Sequence, residues 1–259
     1  MTISKKKIDS YKSNYLSNVI FRIDFDQVEL SPIKEFSKKI AESFPISEES
    51  KIKEGTFNFD LSNDRIEQKI IPMTAWVFHN KSRNKKIEIH PKDLVIEYSE
   101  YTNSKELLKD IDLVSTFIAD FKVTTINRLG LRYVNEINLE EKEYLDWTKY
   151  ISEDLLGTLK FALRNRKTLS RAMGQICIKE KEDVNININY GIWNQNFPNE
   201  IIEKTFVLDF DAYSRFPISG EAGLPEIVKE YNRSIEELFE GFIQDGLRVK
   251  LRKKKVSKK

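Results

Sequence analysis

Two stretches constrain the fold of this chain more than anything else in it. Residues 94–101 (LVIEYSEY) and 206–213 (FVLDFDAY) alternate apolar and polar side chains, the period-two signature of a half-buried strand. Each ends in Tyr and runs ahead of a segment whose apolar residues recur every three or four positions. The first such segment spans 104–121, with Leu107, Leu108, Ile111, Val114, Ile118 and Phe121 on one face. The second predicts a long final helix from about 224 to 247, its stripe running from Leu224 through Val228, Tyr231 and Ile235 to Ile243. Opening strands stand at matching distances: residue 19 lies 75 positions before 94, and residue 129 lies 77 before 206. The expectation is an α+β protein of two pseudo-repeated strand–helix–strands–helix units. Its sheet is mainly antiparallel, and it closes on a long C-terminal amphipathic helix.

Between these anchors the elements fall into order. Residues 19–25 (VIFRIDF) alternate as a strand, and Ser31-Pro32 opens a helix with Ile33, Phe36, Ile40 and Phe44 inward. Short strands are expected at 56–61, 75–79 and 86–90, with turns at Asn63-Asp64 and 82–85. The second half reads as a strand over 127–137, a helix near 153–165, and strands at 174–178, 184–190 and 205–210. Four regions follow: a polar N-terminal segment (1–18), a first α+β half (19–122), a second half packed on it (123–247) and a basic tail (248–259). No Gly/Ser/Pro-rich linker separates 121 from 129, so the halves are expected to share one body.

Composition excludes several function classes. With one cysteine there is no intrachain disulfide, and Cys177, inside QICIK, reads as a core residue of an apolar strand. Lys5, Lys6 and Lys7 are followed by no apolar segment, so a secretory signal is not expected. No run approaches 18 apolar residues, so a membrane partner is not expected either, and the expected location is the cytoplasm.

Charge is distributed unevenly. Residues 248–259 hold eight Lys and Arg and no acid, so a net charge of +2 for the whole chain leaves −6 for residues 1–247. Residues 155–179 carry Lys160, Arg164, Arg166, Lys167, Arg171 and Lys179 without an acid, and Lys81, Arg83, Lys85 and Lys86 form another basic loop. Positive clusters on an acidic body suit nucleic acid, because neutralising phosphates releases counterions. The contact candidates are Lys160, Arg164, Arg166, Lys167, Arg171, Arg252, Lys253, Lys254 and Lys255.

Catalytic signals are sparse. Asp209 and Asp211 lie two apart on a strand, so both carboxylates share a face that would suit a divalent cation. No G-x-x-x-x-G-K-[ST] or G-x-G-x-x-G loop accompanies them. Solvent-facing alternation on a half-exposed sheet, or ion pairing with Arg132, is the plainer account of the pair. Arg128 and Arg132 share a strand face and read as anion-binding or structural groups, the latter by pairing with Asp209 or Asp211 to lock the two halves. His79, Glu88 and His90 form a weak two-His, one-carboxylate pattern, and neither a resident metal nor a cofactor is expected.

Residues 128–138 (RLGLRYVNEIN) resemble a sporadically distributed family of uncharacterised prokaryotic proteins of about this length. That family carries a mid-chain GLRY-N strand and a late LD-D-Y strand. The matching residues are Gly130, Leu131, Arg132, Tyr133 and Asn135, then Leu208, Asp209, Asp211 and Tyr213, with Trp76-Val77-Phe78 and 86–90 before Pro91 in support. The resemblance implies a patchily inherited gene of the kind found near mobile or defence loci, and no particular reaction. The resulting expectation is a non-enzymatic accessory protein engaging RNA or DNA through its basic clusters. A protein–protein scaffold or partner subunit is the alternative, and a metal-dependent phosphoryl-transfer enzyme using Asp209 and Asp211 a further one.

Overall fold

The computed structural model describes residues 11–60, 65–139, 147–164, 169–201, 205–215, 217–219 and 223–252. The first half runs β1 (Leu16–Phe25), α1 (Ile33–Ile40), β2 (Ile46–Asp60), β3 (Arg65–His79), β4 (Lys85–Ile89), β5 (Asp93–Tyr98) and α2 (Ser104–Asp120). The second runs β6 (Thr125–Asn138), a 3₁₀ turn at Glu153–Leu155, α3 (Gly157–Arg164), β7 (Ala172–Lys179), β8 (Asn185–Ile192), β9 (Thr205–Ser214), β10 (Ile218–Ser219), α4 (Leu224–Phe242) and α5 (Asp245–Arg252). This is an α+β fold.

The strands form a ten-stranded sheet in the order β2-β3-β4-β5-β1-β6-β9-β8-β7, with β10 pairing beside β6. All the described pairings are antiparallel. The first half's strands thus lie on one side and the second half's on the other. They meet at the β1–β6 seam, where Phe21 stands opposite Leu131 and Ile23 opposite Leu129.

Alternation along each strand sends one set of side chains under the helices and the other to an open face. On β6, Leu129, Leu131, Tyr133, Asn135 and Ile137 are buried while Arg128, Arg132, Val134 and Glu136 are more exposed. The buried set meets α1, α2 and α4. Phe36 contacts Phe78, Phe117 and Phe121 edge-on, and Phe210 lies against Phe239 and Phe242. Each such ring, fully buried, contributes roughly 1.5–3 kcal/mol. Asn103 caps α2 by accepting from the amides of Lys105 and Glu106.

Two local readings are corrected by the structure. The long final helix stops at Phe242, because residues 147–152 cross its end. Ser152 N–H donates to Phe242 O, Gln244 N–H to Tyr150 O, and Ile243 turns extended to bridge Ile151. Gly246 restarts the helix in a space too small for a side chain, since a Cβ there would lie 2.5 Å from Lys149 O. Helix α5 then carries the chain through Arg252 with Leu247 and Leu251 buried, so the basic run from 248 begins as folded structure. Finally, β2 and β3 are 15-residue arms of one hairpin rather than short strands, and only Trp76–His79 of β3 reach β4. Residues 61–64, where a turn was expected, lie outside the described residues. Among the described residues no helix is long and apolar enough to cross a membrane.

Candidate functional site

The open face of the second half carries the charged residues singled out above. Arg132 on β6 holds Asp209 on β9 in a fork, Nε to Oδ1 at 2.8 Å and Nη2 to Oδ2 at 2.8 Å. Asn189 on β8 adds a bond to Asp209 Oδ2 at 3.1 Å. Asp209 is buried, and both its oxygens are committed. Arg128 reaches Asp211 at 3.3 Å. Gly130, between the two arginines, makes room for that guanidinium, which lies 3.2 Å from where a Cβ would stand. Burial pushes the Asp211 carboxyl up from its ordinary 3.8, with Asp209 adding to the rise and Arg128, Arg132 and Arg215 opposing it. The Asp209 bond in turn raises the Arg132 guanidinium against the effect of burial. Both ion pairs join β6 to β9 within the second half, so they do not lock the two halves together.

Above this ladder opens a cavity of about 680 Å³, lined by Arg132, Asp209, Asn189, Gln175, Arg171 and Trp193 among others. Arg171 enters from the residue before β7, and Trp193 from the residue after β8. The β7–β8 register sets Ala172 against Ile192 and so brings the two together. Gly191 at φ 130° allows the close approach, since a Cβ would fall 2.0 Å from Ala172 O. The Arg171 guanidinium lies 4.2 Å from the Trp193 ring centre and 4.3 Å from that of Phe197. Its Nη2 donates to Asn194 O at 3.3 Å, and its buried Nε has no acceptor among the described residues. Among the described residues no carboxylate pairs with it. Trp193, in the cavity lining, is 46% exposed, and Phe197, which meets the Arg171 guanidinium, is 52% exposed. Glu136 also lines the cavity, with an exposed side chain.

The other candidates are not gathered there. Lys160, on α3, pairs with Glu153 at 2.9 Å. Arg252 ends α5. Arg166, Lys167, Lys253, Lys254 and Lys255 lie outside the described residues, as does the side chain of Arg164. The loop of Lys81, Arg83, Lys85 and Lys86 is not an open basic patch. Lys85 is buried on Asp110 at 2.7 Å, Arg83 pairs with Glu48, and Lys86 with Glu88 and Glu97. His90 is held by Asp93 at 2.9 Å and Glu88 at 3.1 Å, while His79 faces Glu48 at 3.9 Å on another strand. Among the described residues no group of three or more His, Cys, Asp and Glu is arranged to hold a metal ion.

Cys177 corrects the sequence reading: it is exposed, with its Sγ 3.0 Å from Asn187 Oδ1. Its strand β7 lies at the sheet edge, and Cys177 shares the open face with Gln175 and Lys179. The sequence reading missed Trp193, Phe197 and Asn189, whose convergence depends on strand pairing. No protein-family model matches this chain, and no curated protein matches it.

Proposed function

We propose that this chain is a non-enzymatic accessory protein that engages single-stranded nucleic acid, with a base seated in the cavity beside Arg171. The observation that carries the reading is the Arg171 guanidinium, held against two exposed rings and, among the described residues, without a carboxylate partner. An anionic ligand supplies the missing countercharge, and a ligand with a planar face stacks on Trp193. Nucleotides combine the two, and single strands present unstacked bases that a duplex withholds. The side-chain amides of Gln175, Asn189 and Asn194 offer donors and acceptors for base edges. The commitment of both Asp209 oxygens to Arg132 and Asn189 favours a binding role over a catalytic one for that carboxylate. The setting that fits is the cytoplasm of a prokaryote, within the sporadic family whose GLRY-N and LD-D-Y strands this chain resembles.

The duplication belongs to the same proposal. β1 and β6 meet at the centre, β5 and β9 flank them, and α2 and α4 follow those flanking strands in turn, which supports two copies of one ancestral unit.

Fluorescence polarisation of end-labelled short single- and double-stranded RNA and DNA, titrated with the protein at low and near-physiological salt, provides the test. Binding is expected to survive physiological salt. Arg171→Ala and Trp193→Ala should each weaken it by about 1–3 kcal/mol, with the Arg171 change also lowering the salt slope. Absence of binding at physiological salt, or wild-type affinity in both variants, refutes the proposal. A co-purifying protein in place of nucleic acid would favour the scaffold reading.

A further inference from the structure

The motif strand β6 faces two ways. Arg132 points to the cavity already described, whereas Tyr133 and Asn135 point under the helices into a second one. That cavity, of about 510 Å³, lies between α2, α4 and residues 11–16, and its volume falls within the roughly 300–1,000 Å³ of small-ligand sites.

The direction of its hydrogen bonds can be followed proton by proton. Tyr133 donates its hydroxyl proton to Asn232 Oδ1 at 2.6 Å. The 3.0 Å contact between the Tyr101 and Tyr133 hydroxyls therefore uses the Tyr101 proton. Asn232 Nδ2 passes the chain on to Glu236 Oε1 at 2.8 Å, and the carboxylate's inability to donate fixes the amide's orientation. Three more hydroxyls of the lining are also spent as donors: Tyr11 on Glu240, Thr102 on Glu106 and Ser13 on Leu251 O. Asn135, 5% exposed, gives its amide N–H to Leu208 O at 3.2 Å, and its side-chain oxygen has no partner among the described residues. What remains facing the cavity is mainly acceptors: the Tyr101 oxygen, the Asn135 oxygen and the second Glu236 oxygen. The Tyr101 and Tyr133 rings, with centres 5.5 Å apart, add electron-rich faces.

Glu236 has no cation within ion-pair distance among the described residues. Lys12, the cation of the lining, is exposed and pairs with no carboxylate there. Burial pushes the Glu236 carboxyl up from its ordinary 4.5, with Glu237 and Glu240 adding to the rise and Asn232 opposing it.

We propose that this second cavity binds a small aliphatic primary amine as its ammonium ion, charge-paired to Glu236 and accepted by the Tyr101 and Asn135 oxygens. An ammonium group brings three donors and no acceptor, the complement of what the cavity presents.

The test is calorimetric titration of the full chain with putrescine, spermidine and agmatine, with 1,4-butanediol as the uncharged match for putrescine. At least one amine should bind, and the diol should not. Glu236→Gln keeps the side chain's shape and should weaken amine binding about ten- to a hundredfold. Tyr101→Phe, which leaves the Tyr133–Asn232 bond in place, should weaken it too and serves if Glu236→Gln fails to fold. Arg171→Ala should leave amine binding unchanged, which separates this site from the nucleic-acid cavity. Failure of all three amines to bind, or wild-type affinity in the folded Glu236→Gln and Tyr101→Phe variants, overturns the proposal.

Discussion

Asp110 on α2 offers the sharpest test of the packing. Its side chain is 1% exposed and accepts from Lys85 Nζ at 2.7 Å and from the Tyr98 hydroxyl at 2.6 Å. Lys85 is itself only 9% exposed, lying 4.9 Å from the Phe44 ring centre, and its second partner is Glu106 at 3.1 Å. Asp110→Leu removes the buried acceptor and strands two donors. Breaking a buried pair from one side costs about 3–5 kcal/mol, and an orphaned buried hydroxyl about 1–3. Glu106 retains part of the Lys85 interaction, so the expected net loss is about 3–5 kcal/mol, or roughly 10 °C in melting temperature for a chain this long. Adding Lys85→Met should recover about half of that loss, because the uncompensated charge is gone. Urea denaturation of the wild type and the single and double variants, followed by circular dichroism, measures both effects. A single variant within about 1 kcal/mol of wild type, or a double variant no more stable than the single, would show that the pair is not buried as described.

Two further outcomes concern the same fold. The Asp93 hydrogen bond raises the His90 pKa above its ordinary 6.5, with Glu88 adding and burial opposing. The stabilisation is therefore full below 6.5 and lost as pH rises through the folded value, so urea midpoints should fall on that alkaline side and His90→Asn should flatten the fall. A variant with an unchanged pH profile would remove His90 from the account. Ending the chain after Leu247 deletes Leu251, 1% exposed, and the ties of Arg248 to Glu240 and Asp245, and should cost about 2–5 kcal/mol by thermal melting. Ending it after Arg252 keeps every described contact and is the truncation that isolates the charge of residues 253–259. Equal melting temperatures for the two truncations would contradict the docking of α5.

Much of this was legible in local pattern. Period-two alternation located β1, β5, β6 and β9 closely, and the stripe over residues 104–121 marked α2 to within a residue of its ends. Alternation also contained answers that were passed over. In QICIK, Cys177 shares its face with Gln175 and Lys179 rather than with Ile176 and Ile178. In KKIEI, Lys85 sides with Ile87 and Ile89, which is why it is buried while Lys86 is not. Gly241, Asp245 and Gly246 punctuate the final apolar stripe, but the segment 147–152 that stops α4 is some 90 residues away in sequence. The two cavities were the least legible features. Arg171 meets Trp193 only through the β7–β8 register, and Tyr133 meets Asn232 only through the packing of α4 on β6.

The seam between β1 and β6 also bears on how the chain is made. Until β6 exists, β1 holds Val19, Phe21 and Ile23 in a strand bonded to β5 on one side and bare on the other. An apolar strand with an unpaired backbone edge recruits other chains. Here the covering strand is the next element synthesised after α2, with only residues 121–124 between them. At roughly 5–20 residues per second, the ribosome supplies β6 within a few seconds of finishing α2. The order of elements thus keeps the sticky interval short, and a long insertion between α2 and β6 would extend it at the point where the nascent chain is most prone to aggregate.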